Sequence, residues 1–203
     1  MAQYKKEDVR NKIIENAKAE FLEKGYQNAS ISSIAKNSHV GVGNVYRYFK
    51  NKEAILDAIV TPVVERIKRT LIESVPDELD ENIEPHENIM NVMTYVLDEI
   101  IHLSKNHKDE ILIVLLKSQS TQYMTIKEEI IQSLAVKIRR LMLQSNLGKV
   151  NAFGDLSVPI SAALIEGCIR IILSVYNEDN EDNYDKLYIF ARTILEGLLI
   201  EIK

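Results

Sequence analysis

The chain has 203 residues, 46% hydrophobic and 27% charged, enough to bury the core of one large domain or of a small and a larger one. Seven glycines, four prolines and no tryptophan leave few chain breakers, which favours long helices. A single cysteine, Cys168, cannot form an internal disulfide and suits a reducing cytosol. This cysteine usage favours a cytoplasmic location. The most apolar stretch, 158–176, contains Glu166 and Arg170, which are spaced to form an ion pair. Because a membrane span would tolerate these charges badly, we expect a buried helix there.

Charge is unevenly distributed along the chain. Residues 1–53 hold ten Lys and Arg against six Asp and Glu, a net charge of +4. The remaining residues hold 15 against 24, a net charge of −9. This asymmetry favours an N-terminal region that meets an anion such as nucleic acid. The alternative is chance unevenness among solvated side chains, so the motifs must decide.

Periodicity predicts three helices at the N-terminus. Apolar residues recur every four positions over 9–21, and Gly25 is expected to end this first helix. Ser30 is a good N-cap for a short second helix. A third helix is expected over about 41–48, after a turn of roughly three residues, which is the helix-turn-helix spacing.

The remaining patterns predict further helices and no strand, so the predicted fold class is all-α. A fourth helix is expected to open near Asn51 and to contain Pro62, which would bend it. Residues 76–87 are acidic and bounded by prolines, which indicates a solvated loop, with a regulatory tail as the alternative. Apolar periodicity then predicts helices over about 87–106, 109–119, 124–146, 157–177 and 182–202.

The third predicted helix carries side chains suited to reading DNA. Asn can bridge an adenine edge and Arg a guanine edge, so Asn44 and Arg47 are the candidate base readers. Val42 can touch a thymine methyl group. Gly43 lacks a side chain and would allow the backbone to approach the duplex closely.

Other polar side chains nearby are candidate phosphate contacts, which position a protein on DNA without carrying sequence information. These candidates are Ser30, Tyr46, Tyr48 and Lys52. Lys5, Lys6 and Arg10 would add a basic arm. The alternative for both tyrosines is half-buried packing, and Phe49 is expected in the core.

These residues resemble the N-terminal domain of TetR-family transcriptional regulators. The resemblance covers about residues 8–57 and depends most on the run Y-R-Y-F-K-N-K-E at residues 46–53. Two positions depart from the family pattern: His39 replaces the Gly of the turn, and Gly41 replaces a Ser. His tolerates a left-handed turn better than most residues, and Gly can cap a helix without a side-chain acceptor.

The resemblance implies a helix-turn-helix domain over residues 1–50 and a larger helical domain for effector binding and dimerisation over 51–203. It also implies a homodimer, most commonly a repressor, that binds a double-stranded palindromic operator and releases it when a small molecule of apolar character binds. The helix from Asn51 would link the two domains. No cofactor, metal or membrane partner is expected.

The resemblance places the effector pocket among the helices that follow residue 54. No motif marks such a pocket, because its walls are mostly apolar. Each candidate has core packing as its alternative. The candidates are Met90, Met93, Leu97, Tyr123, Met124, Cys168 and Ile171.

By resemblance, the last two helices pair with those of a second copy in a four-helix bundle. Independently, small residues along one helix and an apolar face along the other leave more apolar surface than one subunit readily covers. Burial within the monomer is the alternative. The interface candidates are Ala163, Gly167, Phe190, Ile194, Leu195 and Leu198.

Catalytic motifs are weak in this chain. Glu99 and His102 form one E-x-x-H on a predicted helix, whereas a di-iron bundle requires two such motifs and two further carboxylates. Cys168 has no His nearby in the sequence and is interpreted as inert. We therefore expect that this chain is not an enzyme. The alternatives to a regulator are a helical ligand-binding protein without operator binding and a small helical enzyme.

Overall fold

The computed structural model describes residues 2–144 and, later in the chain, residues 158, 159, 162, 163, 166, 167, 170, 189, 192 and 193. These residues are helical or lie in turns and include no strand, which confirms the all-α prediction. None of the described helices is both long and apolar enough to cross a membrane. The predicted helices 157–177 and 182–202 lie largely outside the described residues.

Residues 2–144 form seven α-helices, two of which lead into a π-helical turn. The α-helices are α1 Ala2–Asn28, α2 Ile31–Asn37, α3 Val42–Tyr48, α4 Lys52–Ile67, α5 Pro85–Asn106, α6 Lys108–Leu112 and α7 Gln122–Gln144. The π-helical turns are Lys68–Glu73 after α4 and Ile113–Lys117 after α6. The predicted helix over 109–119 is therefore divided between two helix types.

The start of α5 lies inside the segment that was predicted as a loop. The carboxylate of Glu84 accepts the backbone N–H groups of His86 (2.9 Å) and Glu87 (3.1 Å). Pro85 occupies the first helical position, where the missing N–H costs no hydrogen bond. The two residues together begin the helix earlier than apolar periodicity indicated, and the loop ends at residue 84.

Contacts between Cα atoms divide the chain into two compact units. The first unit runs to Arg66 and includes His107–Lys127. The second unit consists of Ile67–Asn106 and of the described residues from Glu128 onward. The candidate DNA-reading residues all belong to the first unit.

In the first unit, α1 buries one face and forms an ion pair with a residue of 107–127. Ile13, Ala17 and Phe21 have no exposed surface, which confirms the four-residue periodicity. Gly25 then breaks the regular helical backbone, with φ 74° and ψ 163°. The Lys18 ammonium lies 2.9 Å from the Glu110 carboxylate, so residues of 107–127 hold α1 directly.

The second unit has its own apolar core on α5 and α7. Among its buried residues are Ile89, Val96, Leu103, Leu134 and Leu141. Ala162 packs against Ile131 and Ala135 of α7. The connector before α5 is largely exposed, as predicted for a solvated loop, and the Lys137 ammonium donates to the carbonyl of Val75 at 2.9 Å.

A buried carboxylate joins α1 to α2 in the first unit. Glu20 accepts the backbone N–H of Ser30 (3.3 Å) and the hydroxyl of Ser33 (2.8 Å), and the Lys24 ammonium lies 3.0 Å away. Burial by itself would raise the pKa of Glu20. The hydrogen bonds from Lys24, Ser33 and Ser30 outweigh burial and hold the pKa of Glu20 below its usual value.

Replacing Glu20 with Gln is expected to lower the free energy of unfolding by about 1–3 kcal/mol at neutral pH, because the buried donors lose a charged acceptor. Since the folded pKa is depressed, this stabilisation is present above the unfolded pKa of about 4.3 and is lost as the pH falls through the folded value. Urea unfolding should therefore show the difference between wild type and E20Q narrowing on acidification. Glu23→Gln, at an exposed position of α1, is the control, and an equal loss in both variants would contradict the role of Glu20.

Candidate nucleic-acid interface

Ser30 begins α2 as predicted. Its backbone is extended, at φ −122° and ψ 138°, and its Oγ accepts the backbone N–H of Ser33 at 3.0 Å. The residue is exposed, and its hydroxyl keeps a proton to donate. The N-cap prediction is confirmed, and the hydroxyl is accessible from outside the protein.

The turn between α2 and α3 depends on a left-handed residue. His39 has φ 57°, and its N–H donates to the carbonyl of Lys36 at 3.1 Å. The N–H of Val40 donates to the carbonyl of Ala35 at 3.0 Å. These two bonds form a Schellman motif, which usually has Gly at the left-handed position. The expectation that His39 accommodates a left-handed turn is confirmed.

The third helix, α3, has one buried and one exposed face. Val45 has no exposed surface, whereas Val42 is 40% and Tyr46 53% exposed. Gly43 is also exposed, and a Cβ added to it would meet no atom of the described residues within 4 Å. Packing within the protein therefore does not require Gly at this position. Gly41 caps the helix through its backbone alone, with φ −72° and ψ 150°, as expected from its lack of a side chain.

The other candidates on α3 differ in exposure. Arg47 is exposed, while Asn44 and Tyr48 are half-buried. Half-buried packing, the alternative for both tyrosines, therefore describes Tyr48 and not Tyr46. Phe49 is 5% exposed, as predicted for a core residue, and the Arg10 guanidinium lies 5.3 Å from its ring centroid. Arg10 thus places a positive charge beside the end of α3.

Lys52 has partners that the sequence did not indicate. Its Nζ donates to the carbonyls of Tyr26 (2.5 Å), Ala29 (2.8 Å) and Gln27 (3.2 Å). The same ammonium lies 4.6 Å from the Tyr26 ring centroid. Burial lowers the pKa of Lys52 from its ordinary value. The phosphate contact predicted for Lys52 is untested, and the structure shows its ammonium bonded to backbone carbonyls instead.

Tyr123 and Met124, two of the pocket candidates, belong to the first unit and differ in exposure. Met124 is 48% exposed. Tyr123 is buried, and its hydroxyl donates to Asp57 Oδ1 at 2.7 Å and lies 2.9 Å from Thr61 Oγ1. Burial, followed by the hydrogen bond to Asp57, raises the pKa of Tyr123 to about 12. Tyr123 therefore joins α4 to the beginning of α7.

The α5 candidates for the pocket lie in the second unit. Met90 and Met93 are half-buried, and Leu97 is 5% exposed. Their spacing places them on one face of α5. Cys168 and Ile171 lie outside the described residues.

Few of the dimer candidates fall within the described residues. Ala163 is exposed and Gly167 half-buried, and the Glu166–Arg170 pair, at 2.9 Å, confirms the predicted ion pair. The other four candidates, Phe190, Ile194, Leu195 and Leu198, lie outside the described residues.

The E-x-x-H motif lies on α5. His102 is exposed, and Asn106 Nδ2 is 3.3 Å from its Nε2. In the part of the chain that the structure describes, no group of three or more His, Cys, Asp or Glu side chains is placed to hold a metal ion.

Substitutions at His39 should follow the demands of its left-handed backbone. Gly relieves the strain of a side chain there and should raise stability by up to about 1 kcal/mol, whereas Val should lower it by about 1–2 kcal/mol. Asn tolerates this conformation and serves as the control, with stability close to that of His. Thermal unfolding should rank the Tm values Gly, then His and Asn, then Val. The same Tm for Gly and Val would contradict the assigned turn.

Both the sequence and the fold of this chain are similar to those of known proteins. The model of the family described as bacterial regulatory proteins, tetR family, matches residues 13–59. The HTH-type transcriptional regulator YhgD of Bacillus subtilis (strain 168) is 33% identical over 95 residues, which cover 45% of this chain and 46% of YhgD. YuxN, another HTH-type regulator of that strain, is 31% identical over 165 residues, covering 79% and 52%. The chain spans about half the length of these relatives.

Solved structures of similar fold include two from Pseudomonas aeruginosa. NalD, described as the secondary repressor of the MexAB-OprM multidrug efflux pump, has a TM-score of 0.58 at 17% identity, covering 94% of this chain and 95% of NalD. MexZ, described as a key repressor responsible for antibiotic resistance, has a TM-score of 0.60 at 17% identity, covering 96% and 94%. These likenesses establish the fold. The family match places residues 13–59 in the TetR family of bacterial regulatory proteins, and the sequence relatives are HTH-type transcriptional regulators.

Proposed function

We propose that this chain binds operator DNA and that α3 enters the major groove. The observation that carries the proposal is the two-sided character of α3. Its inward residue Val45 is fully buried, while Val42, Gly43 and Tyr46 are exposed, with open space around Gly43. An exposed Val and Tyr on a short helix are poor solvent-facing residues and good groove-facing ones.

Base reading is assigned to Asn44 and Arg47. Arg47 is exposed and can form two hydrogen bonds to a guanine edge, and Asn44 can bridge an adenine. Val42 contacts a thymine methyl group, and Gly43 leaves room for the duplex. The open space around Gly43 supports this role, because nothing in the first unit fills the volume of a Cβ there.

Phosphate contacts are assigned to Ser30, Tyr46 and Tyr48. The exposed hydroxyl of Ser30 and the exposed ring of Tyr46 support two of these directly. Arg10, beside Phe49 at the end of α3, adds a positive charge near the same helix. The net charge of +4 over residues 1–53 supplies the long-range attraction to DNA.

The proposal also covers the rest of the molecule. Residues 1–50 form the DNA-binding domain and 51–203 the effector-binding and dimerisation domain of a cytoplasmic homodimer, whose interface includes the exposed Ala163. The dimer represses transcription by binding a palindromic operator, with its two α3 helices about 34 Å apart, which is one turn of DNA.

An apolar effector contacts Met90 and Met93 and releases the DNA by favouring another spacing of the two α3 helices. The half-buried methionines on one face of α5 support this pocket, since flexible side chains suit an apolar ligand.

Selection of bound duplexes from a random DNA pool tests the proposed function. Because a homodimer reads two related half-sites, the expected result is an inverted repeat with half-sites about 10 base pairs apart. Recovery of no enriched sequence, with binding that does not weaken as salt increases, would contradict the proposal. That outcome would favour a helical ligand-binding protein without operator binding.

Single substitutions on α3 should separate base reading from phosphate contact. Asn44→Ala should weaken binding to the selected duplex by about 1–3 kcal/mol and relax the preference at one base pair in each half-site. Tyr46→Phe removes only a hydroxyl and should weaken binding to all sequences alike. Competition binding against duplexes altered at one base pair distinguishes the two effects. If Asn44→Ala weakened binding to every duplex equally, the base-reading role would be wrong. Glu23→Gln, on an exposed part of α1, is the control.

A further inference from the structure

We infer that Lys52 is a positioning residue of the proposed DNA-binding site: it orients the backbone before Ser30 and does not neutralise a phosphate. This inference rests on the proposed function, in which Ser30 contacts DNA. It gives Lys52 a role different from the phosphate contact that the sequence alone suggested.

The donors of Lys52 match the acceptors around it. An ammonium group has three N–H donors and no acceptor. Lys52 Nζ lies within hydrogen-bonding distance of three carbonyls, those of Tyr26, Gln27 and Ala29. A compact ammonium can direct its donors to three separate oxygens, whereas a planar guanidinium has its donors in one fixed plane. A phosphate contact would require Lys52 to give up at least one of these carbonyls.

These carbonyls need a partner because Tyr26 and Gln27 lie in the last turn of α1 and Ala29 lies just beyond its end. Gly25 breaks the regular helix, and carbonyls at the end of a helix have no N–H of the next turn to accept. A cation is favoured at this end, where the helix dipole is negative. The ring centroids of Tyr26 and Phe21 are 5.8 Å apart, and the face of the Tyr26 ring contacts the Lys52 ammonium. Through Tyr26, the position of Lys52 is linked to Phe21, a buried residue of α1.

Opposite charges hold the two ends of one peptide group. The Ala29 carbonyl and the Ser30 N–H belong to the same peptide bond. Lys52 donates to that carbonyl at 2.8 Å, and Glu20 accepts from that N–H at 3.3 Å. The plane of this peptide is therefore fixed on both sides. Because it immediately precedes Ser30, it determines where the Ser30 hydroxyl and the first turn of α2 lie.

The test combines salt-dependent DNA binding with amide hydrogen exchange, using Lys52→Met, Lys52→Arg and the control Lys50→Met. The binding probe is the duplex recovered by the selection experiment. Lys50→Met removes the same charge from an exposed side chain nearby and leaves the Lys52 hydrogen bonds in place. Lys52→Arg keeps the charge, so it remains informative if Lys52→Met folds poorly.

If Lys52 is a positioning residue, both Lys52 variants should bind the duplex roughly tenfold more weakly, with the slope of log K against log salt unchanged. It also predicts faster exchange of the Ser30 and Ser33 amides in both Lys52 variants and no change in Lys50→Met. A direct phosphate contact predicts the reverse: the slope falls by about 0.9 in Lys52→Met, Lys52→Arg binds like wild type, and exchange is unaltered. That result would overturn the inference.

Failure of the proposed function would be recognised separately. If the wild-type chain binds no duplex in a salt-dependent way, the proposed function is wrong. The exchange measurement still decides the structural part in that case, since unchanged exchange at Ser30 and Ser33 in both Lys52 variants would show that Lys52 does not hold this junction.

Discussion

The peptide bond between Ala29 and Ser30 is held by opposite charges at its two ends, and this constraint fixes the start of α2, the helix that leads into α3. Glu20, buried in α1, takes the N–H, and Lys52, the first residue of α4, takes the carbonyl. Three helices thus converge on one peptide group. Glu20 is buried and Lys52 is half-buried, and the cost of removing each charge from water is offset by the hydrogen bonds it makes.

From this junction to α3, each helix end is formed by local hydrogen bonds. Ser30 caps α2, the Schellman motif at His39 ends it, and the backbone of Gly41 starts α3. Each of these steps uses partners within five residues. A short α3 has little helical stability of its own, so its orientation depends on the turn before it and on the buried Val45 and Phe49. The exposed face of α3 is therefore carried on a rigid support, which a base-reading helix requires.

Local features of this kind could be predicted from the sequence, and distant ones could not. The four-residue periodicity of α1, the Ser30 cap and the left-handed His39 each depend on neighbouring residues. The acceptors of Lys52 lie 23 to 26 residues away in the chain, and Asp57 lies 66 residues from Tyr123, so sequence spacing contained no signal for either. The π-helical turn after α6 was also missed, because apolar periodicity does not distinguish it from a continuous helix. The one sequence signal for the contacts of Lys52 is the helix end expected near Gly25, because carbonyls at a helix end need a donor.

A structure of this chain bound to its selected duplex would test the account most directly. In that complex, α3 should lie in the major groove, with Asn44 and Arg47 at base edges and the Ser30 hydroxyl at a phosphate. In the same complex, the Lys52 ammonium should remain on the carbonyls of Tyr26, Gln27 and Ala29. An ion pair between Lys52 and a phosphate, with those carbonyls released, or α3 lying outside the major groove, would contradict it.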